Sequence, residues 1–378
     1  MNILGVNISH DTSVASITDD TIDFVFDEAR FRRQKYWEVD EMMKRNEDGL
    51  QCIVQRNIPT PDKLIVATFD RRGVKLSVPY EDIVCDRLKS MEFCRVFQNE
   101  QLSNDTIQKL IKDYEITEER MEDADALISQ VIAEQVGLKK FHLDFEHHLY
   151  HAECVHALSP WKGEECLAVV WDGGGVYAEY DTYPTHQEME TLYHCVPGKT
   201  PRKIWQRLSN HRFLIDMGWT FPNLPYDCLV NWEDEIIDRD GVEIVISSRP
   251  SSGMNFSNLS KVFGCDNQGR AAGKIMGMAS YGSVHPNAFN QYSVAQQCEL
   301  ESLTNSVNII QKGIDMLPHV NKILLSGGYS LNCTNNYKYL SAFPEHKFFV
   351  DPIPHDGGTA LGACMWLKRH LKQGDNND

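Results

Sequence analysis

Apolar and polar positions alternate in short runs at the start of the chain. Residues 2–8, 13–17 and 21–27 are each apolar and β-rich, and the polar turns His10-Asp11-Thr12 and Asp19-Asp20 separate them. That spacing predicts a three-stranded meander. Charged, helix-leaning sequence follows from residue 28 to about residue 56, and residues 63–69 (KLIVATF) predict the next buried strand. Residues 80 to 140 are mixed, with helical periodicity near 105–114 and 123–136. Residues 142–158 predict a histidine-rich helix ended by Ser159-Pro160. Residues 166–171 (CLAVVW) predict a buried strand stopped by Asp172-Gly173-Gly174-Gly175. Residues 200–260 show no clear period and hold Trp205, Trp219, Trp232 and the acidic run Glu233-Asp234-Glu235. They read as an irregular insertion and a natural element for binding an acceptor. Order resumes at 271–282, in a long helix over 295–316, in strands over 322–326 and 347–351, and in a closing helix over 357–372. The whole is an α/β pattern. Its first lobe is expected over 1–165 and its second over 166–378, with the insertion at about 200–260 and the closing helix in the second.

At 378 residues the chain has room for two domains, or for one two-lobed unit, at roughly 150 residues per domain. Hydrophobic residues at 42% and charged residues at 24% exclude a disordered or fibrous chain. The formal charge of −17 argues against general binding of polyanions and leaves room only for a local basic groove. No apolar run reaches the length of a membrane span, so no membrane partner is expected. The first residues lack the basic start of a signal peptide, and the expected location is cytoplasmic. The 11 cysteines are scattered with no C-x-x-C pair, as in reduced thiols packed as small hydrophobes. Any metal chemistry must therefore draw on histidine and aspartate.

The candidate chemistry begins at His147-His148-Leu149-Tyr150-His151-Ala152. On a helix His147 and His151 share a face, and neutral imidazoles so spaced can bind one transition metal. His148 lies about 100° around, in a supporting position or facing solvent. The competing reading is an amphipathic helix with satisfied polar histidines. Three strand-to-glycine junctions come next: residues 5–12, residues 169–175 with Gly173, Gly174 and Gly175, and residues 324–328 with Gly327 and Gly328. Glycines after a buried strand let backbone N–H groups approach phosphate oxygens. Three such junctions fit the two-lobed ATPase fold of actin and the sugar kinases. Asp356 precedes a glycine-led helix, as an N-cap or as a carboxylate facing a cleft. Lys274 stands among small residues, as a cation positioned for an anionic ligand or as a snorkelling surface lysine.

Together HHLYHA (147–152), WDGGG (171–175), GKIMGMASYG (273–282), SGGYSLN (326–332) and HDGGTALGA (355–363), with HDTS (10–13) and EARFRRQK (28–35), resemble the O-carbamoyltransferases of the nodulation and antibiotic-tailoring type. The resemblance spans residue 1 to about 365. It implies a two-lobed actin-like, sugar-kinase-like ATPase fold with mixed five-stranded sheets flanked by helices. It also implies transfer of a carbamoyl group to an acceptor hydroxyl. Carried over by motif, the metal ligands are His147, His151, Asp172 and Asp356. The implied metal is iron, with manganese, magnesium or zinc as alternatives. The site for ATP or carbamoyl-adenylate falls on Gly173, Gly174, Gly175, Lys274, Gly327, Gly328 and Asn332. Arg30 and Lys35 match positions that hold the donor phosphate, and His10 is the candidate general base.

The full-length family carries a carbamoyl-adenylating domain after this one, and the chain ends at Asp378. The expectation is a separate adenylating protein, direct use of carbamoyl phosphate, or a homologue that has lost the step. His355-Asp356-Gly357 stands where the family more often has Gly-Asp-Asp. The acceptor is expected to be a sugar-like small molecule with a free hydroxyl, or nucleic acid carrying a 5-hydroxymethylated pyrimidine. Three other readings share the fold: threonylcarbamoyl transfer to tRNA, a non-catalytic nucleotide-binding scaffold, and a sugar kinase. A scaffold has no need of four metal-type side chains, and a kinase has no need of the histidine pair.

Overall fold

A computed structural model describes residues 1–8, 13–27, 61–68, 126, 129, 130, 132, 133, 136–178, 186–209, 234–247, 249–265, 271–283 and 290–374. Packing divides the chain into two compact units, one of Met1–Tyr150 with Asp356–Asp378 and one of His151–His355. The closing helix therefore packs with the first unit, and the boundary falls inside the histidine helix rather than at 165/166 as expected.

The first unit holds a five-stranded mixed sheet in the order β3-β2-β1-β4-β5. Its strands are β1 (Asn2–Asn7), β2 (Ser13–Thr18), β3 (Thr21–Asp27), β4 (Lys63–Ala67) and β5 (His142–Asp144). The meander of β1, β2 and β3 is antiparallel, and β4 and β5 add in parallel. Helix α6 (Thr359–Gly374) lies against β1, β2 and β4. Gly5 explains that contact, because a Cβ there would stand 2.2 Å from the Ala360 carbonyl oxygen. The Cys364 thiol sits 3.7 Å from both the Ile3 and Ala15 carbonyl oxygens, and burial pushes its pKa up. It packs as a hydrophobe, as the scattered cysteines predict.

The second unit is built on an eight-stranded mixed sheet ordered β10-β11-β9-β8-β6-β12-β13, with β7 beside β8. The strands are β6 (Cys166–Trp171), β7 (Tyr177–Ala178), β8 (His186–Cys195), β9 (Arg202–Ser209), β10 (Asp234–Arg239), β11 (Val242–Ser247), β12 (Lys322–Ser326) and β13 (Lys347–Val350). The expected α/β class, with mixed sheets flanked by helices, is what the chain adopts. The second sheet is larger than the expected five strands because 202–209 and 234–247 join it. That part of the supposed irregular insertion is thus regular sheet. Trp205 is buried in the core, and its Nε1 donates to Glu243 at 3.1 Å. It is therefore not a stacking platform for an acceptor. Trp219 and Trp232 lie outside the described residues.

The core of the second unit gathers Leu167, Val169 and Trp171 of β6 with Ile323 and Leu325 of β12. Helices α2 (Ser252–Val262), α3 (Ala272–Ala279), α4 (Gln291–Met316) and α5 (Cys333–Ala342) add Phe256, Ile275, Ile310 and Tyr339 to the same core. A buried pair, Arg207 and Glu190, makes two hydrogen bonds of 2.7 Å between β9 and β8. Glu190 also accepts from the Ser252 backbone N–H at 3.1 Å, which ties the start of α2 to the sheet. No helix among the described residues is long and apolar enough to cross a membrane.

Candidate metal centre

Helix α1 (His147–Leu158) begins five residues later than its periodicity predicts. His142–Asp144 are instead taken by β5, where they pair with Ile65–Ala67 of β4. The Tyr150 hydroxyl donates to the Asp144 carboxylate, pinning the first turn of α1 to the strand before it. The helix is buried nearly all round. His148 is buried as well, which corrects the reading that placed it in solvent as an alternative.

Each ligand candidate on α1 faces one carboxylate within its own unit. In the first unit His147 Nε2 stands 3.5 Å from Asp356 Oδ1, and both side chains are buried. Two hydrogen bonds fix the backbone of Asp356. Asn7 Nδ2 donates to its carbonyl at 3.1 Å, and the Thr359 hydroxyl donates to the same oxygen at 2.7 Å. Gly362 brings α6 against α1, since a Cβ there would lie 1.9 Å from the Tyr150 carbonyl oxygen. The Asp356 carboxylate is thereby directed at His147 from the short 3₁₀ turn Asp356–Gly358.

In the second unit His151 Nε2 stands 3.9 Å from Asp172 Oδ2. Asp172 follows β6 directly. Its Oδ1 accepts from the backbone N–H of Gly173 at 2.7 Å and of Gly328 at 3.2 Å. These bonds hold the carboxylate in one orientation and leave Oδ2 toward the imidazole. The separations of 3.5 and 3.9 Å are long for charge-assisted hydrogen bonds, which run about 2.7–2.9 Å. Each matches two ligands of one ion with bonds near 2.1 Å, whose donor atoms stand about 3.0–4.2 Å apart. In each unit the donor pair, an imidazole and a carboxylate, suits a divalent transition metal.

Sequence reading missed the support behind His151. Ser326, the last residue of β12, donates from Oγ to Asp351 Oδ2 at 2.8 Å. That hydroxyl proton is spent, so Ser326 Oγ accepts from His151 Nδ1, 3.4 Å away. The imidazole is then held with its proton on Nδ1 and its Nε2 lone pair toward Asp172. Burial pushes the Asp351 carboxyl above the ordinary range, and hydrogen bonds from Ile353 N–H and Ser326 oppose that shift. The available signal was positional. Ser326 and Asp351 close two apolar runs that become adjacent parallel strands, and sites of α/β sheets gather at such ends. Replacing Ser326 by alanine is expected to weaken metal binding about 10- to 100-fold without unfolding the protein. A titration against a competing chelator measures this, and unchanged affinity would show that the relay does not orient His151.

The glycines divide by what surrounds them. Gly173 has no atom within 4 Å of a built Cβ, whereas one at Gly174 would meet the Gln187 side chain at 2.5 Å. The Gly175 N–H donates to the Glu188 carbonyl at 2.7 Å, tying the loop to β8. Gly327 has φ +88°, and a Cβ there would stand 2.1 Å from the Trp171 carbonyl oxygen. A Cβ on Gly328 would be 2.9 Å from Asp172 Oδ1. The start of α2 packs on the same loop: Ser251 caps the helix through Met254 N–H, and its hydroxyl donates to the Gly173 carbonyl at 3.3 Å. Asn332 is buried with both ends of its amide engaged. Its Oδ1 caps α5 through Asn335 N–H at 3.1 Å, and its Nδ2 donates to Glu299 at 2.8 Å. Lys274 is exposed on α3. His10, Arg30 and Lys35 lie outside the described residues.

A family model described as "Carbamoyltransferase N-terminus" matches residues 2–317. The chain belongs to the carbamoyltransferase N-terminus family. Asp356 and α6 lie beyond the matched residues of this carbamoyltransferase domain. The nodulation protein NolNO of Sinorhizobium fredii (strain NBRC 101917 / NGR234) is 21% identical to it over 322 residues. That match covers 80% of this chain and 42% of the relative, so the chain spans less than half the length of the curated relative it matches. Among solved structures, HypF of T. kodakarensis shares 10% identity at a TM-score of 0.49, covering 98% of this chain and 48% of that one. A ROK hexokinase from Thermus thermophilus shares 12% identity at a TM-score of 0.44, covering 99% of this chain and all of that one.

Proposed function

We propose that the chain is the transferase part of a metal-dependent O-carbamoyltransferase in which His147, His151, Asp172 and Asp356 hold one divalent ion, iron first. One observation carries the reading: two imidazoles a turn apart on α1, each facing a carboxylate too far away for a good hydrogen bond and close enough to be a fellow ligand. Membership of the carbamoyltransferase family supplies the group transferred.

When bound, the ion supplies Lewis-acid stabilisation to the oxygens of a carbamoyl donor. The chain's own residues do the rest. Asp172, locked by the Gly173 and Gly328 N–H groups, keeps Oδ2 in place. Ser326 and Asp351 fix the tautomer of His151. The open space beside Gly173 admits a phosphate oxygen close to the backbone. Lys274, Arg30 and Lys35 are the proposed cations for that phosphate. The acceptor oxygen attacks the carbamoyl carbon, the bond from that carbon to the phosphate oxygen breaks, and the acceptor proton passes to His10.

The donor is proposed to be carbamoyl phosphate or carbamoyl-adenylate. The acceptor is proposed to be a small hydroxyl compound or a hydroxymethylated pyrimidine in DNA. Labelled carbamoyl phosphate, offered with and without ATP and across both acceptor classes, tests this. Label on a hydroxyl without ATP identifies direct use of carbamoyl phosphate. Label only with ATP, or only with an added adenylating protein, identifies the adenylate route. Absence of labelled product under all these conditions contradicts the proposal.

A further inference from the structure

A second group of ligand-type side chains lies at the other end of the second sheet. Glu165 precedes β6, His194 lies near the end of β8, and His319 lies in the turn between α4 and β12. The register explains why residues so distant in sequence meet. His194 pairs with Leu167, and Leu167 pairs with Ile323, so the start of β6, the end of β8 and the start of β12 form one rim. Asp172 is at the opposite end of β6, about 20 Å away at the rise of an extended strand. The two groups are therefore separate sites.

His194 Nε2 stands 3.3 Å and His319 Nε2 stands 3.2 Å from the same oxygen, Glu165 Oε2. The two rings are nearly perpendicular, at 85°, with centroids 6.1 Å apart. All three donor atoms lie within 4.8 Å of one another. Charge-assisted N–H···O contacts are usually about 2.7–2.9 Å, so both contacts are long for a simple ion pair. Donor atoms about 2.1 Å from a tetrahedral zinc ion stand about 3.4 Å apart, close to the observed spacing. Two imidazoles and one carboxylate form a recognised zinc donor set that leaves a fourth position for water. Neighbouring charge is already balanced, because Lys322 pairs with Glu164. His194 is the least exposed of the three, at 14%, while Glu165 and His319 are open enough for an ion to enter.

We infer that Glu165, His194 and His319 form a second, peripheral site for a borderline divalent cation, zinc above all, which clips three adjacent strands together at one rim of the sheet. Its place far from Asp172 makes it a stabilising site. It does not depend on the carbamoyl-transfer reading.

Zinc ion is the probe. The wild-type chain, titrated with Zn²⁺ against a chromophoric chelator, is expected to bind one more equivalent than His319→Ala. The same ion is expected to raise the wild-type melting temperature, with the part due to this site absent in His319→Ala and in Glu165→Gln. Both substitutions fall on exposed side chains and leave the sheet intact. Ser326→Ala serves as the contrast, since it weakens the other site and keeps this one. Equal zinc stoichiometry in wild type and His319→Ala, with equal melting shifts, would overturn the inference.

Discussion

Replacing His151 by alanine is expected to remove the proposed metal and the proposed carbamoyl-transfer activity together. His151 is fully buried, and its Nε2 stands 3.9 Å from Asp172 Oδ2. Loss of one ligand from the proposed four-ligand set would leave Asp172 and Asp356 with a single imidazole. A borderline metal is held far less well by such a set. Lewis-acid stabilisation is worth several kcal/mol, so the rate should fall about 10³-fold or more. Elemental analysis and the labelled-carbamoyl assay on the same preparation read both effects. His151→Gln, with an unchanged circular dichroism spectrum, separates loss of ligation from loss of fold. A metal-free His151→Ala protein that turns over at the wild-type rate would remove the metal from the mechanism.

Replacing Gly327 by alanine is expected to cost about 4 kcal/mol of stability, at the upper end of single substitutions. Two effects add. The backbone sits at φ +88°, a conformation that L side chains rarely adopt. The new methyl would also meet the Trp171 carbonyl oxygen at 2.1 Å and its carbonyl carbon at 2.5 Å. Those atoms belong to the central strand β6, whose residues are all buried, so they cannot move aside cheaply. Any shift of Trp171 also carries Asp172 with it, so the folded fraction should bind metal less well. Urea unfolding at constant m-value measures the first effect, and chelator competition measures the second. Gly277→Ala is the control, because nothing lies within 4 Å of a Cβ there and the site is inside a helix. It should be neutral or stabilising by about 0.5–1 kcal/mol. A Gly327→Ala protein less than about 1 kcal/mol below wild type would show that the strand-to-glycine junction is slack.

The elements that sequence patterning placed best are those whose fate is settled locally. Both β6 and β12 are short apolar runs closed by Asp-Gly or Ser-Gly, and their observed bounds match the predicted ones. Where tertiary pairing decides, patterning was misled. His142–Asp144 look helical beside HHLYHA, yet β4 offers them a parallel ladder and the helix starts after them. Residues 202–209 and 234–247 lack a visible period because β9 and β11 pair with each other and β9 also pairs with β8. The closing helix was assigned by chain order to the second lobe. Only the close approach allowed at Gly5 and Gly362 shows that it belongs to the first unit. The same holds for the site. Spacing on one helix exposed His147 and His151, and family motifs pointed to Asp172 and Asp356. No pattern pairs Ser326 with Asp351, because their link exists only once β12 and β13 lie side by side. The rim formed by Glu165, His194 and His319 escaped for the same reason: it arises from register across three strands.

Anomalous diffraction at the iron edge, from crystals of the protein grown with ferrous iron, shows whether His147, His151, Asp172 and Asp356 share one ion as proposed. A single strong peak is expected about 2.1 Å from His147 Nε2 and His151 Nε2, with oxygens of Asp172 and Asp356 completing the sphere. A peak bonded to only one of the two imidazoles, or iron density confined to other parts of the molecule, would rule out the shared ion.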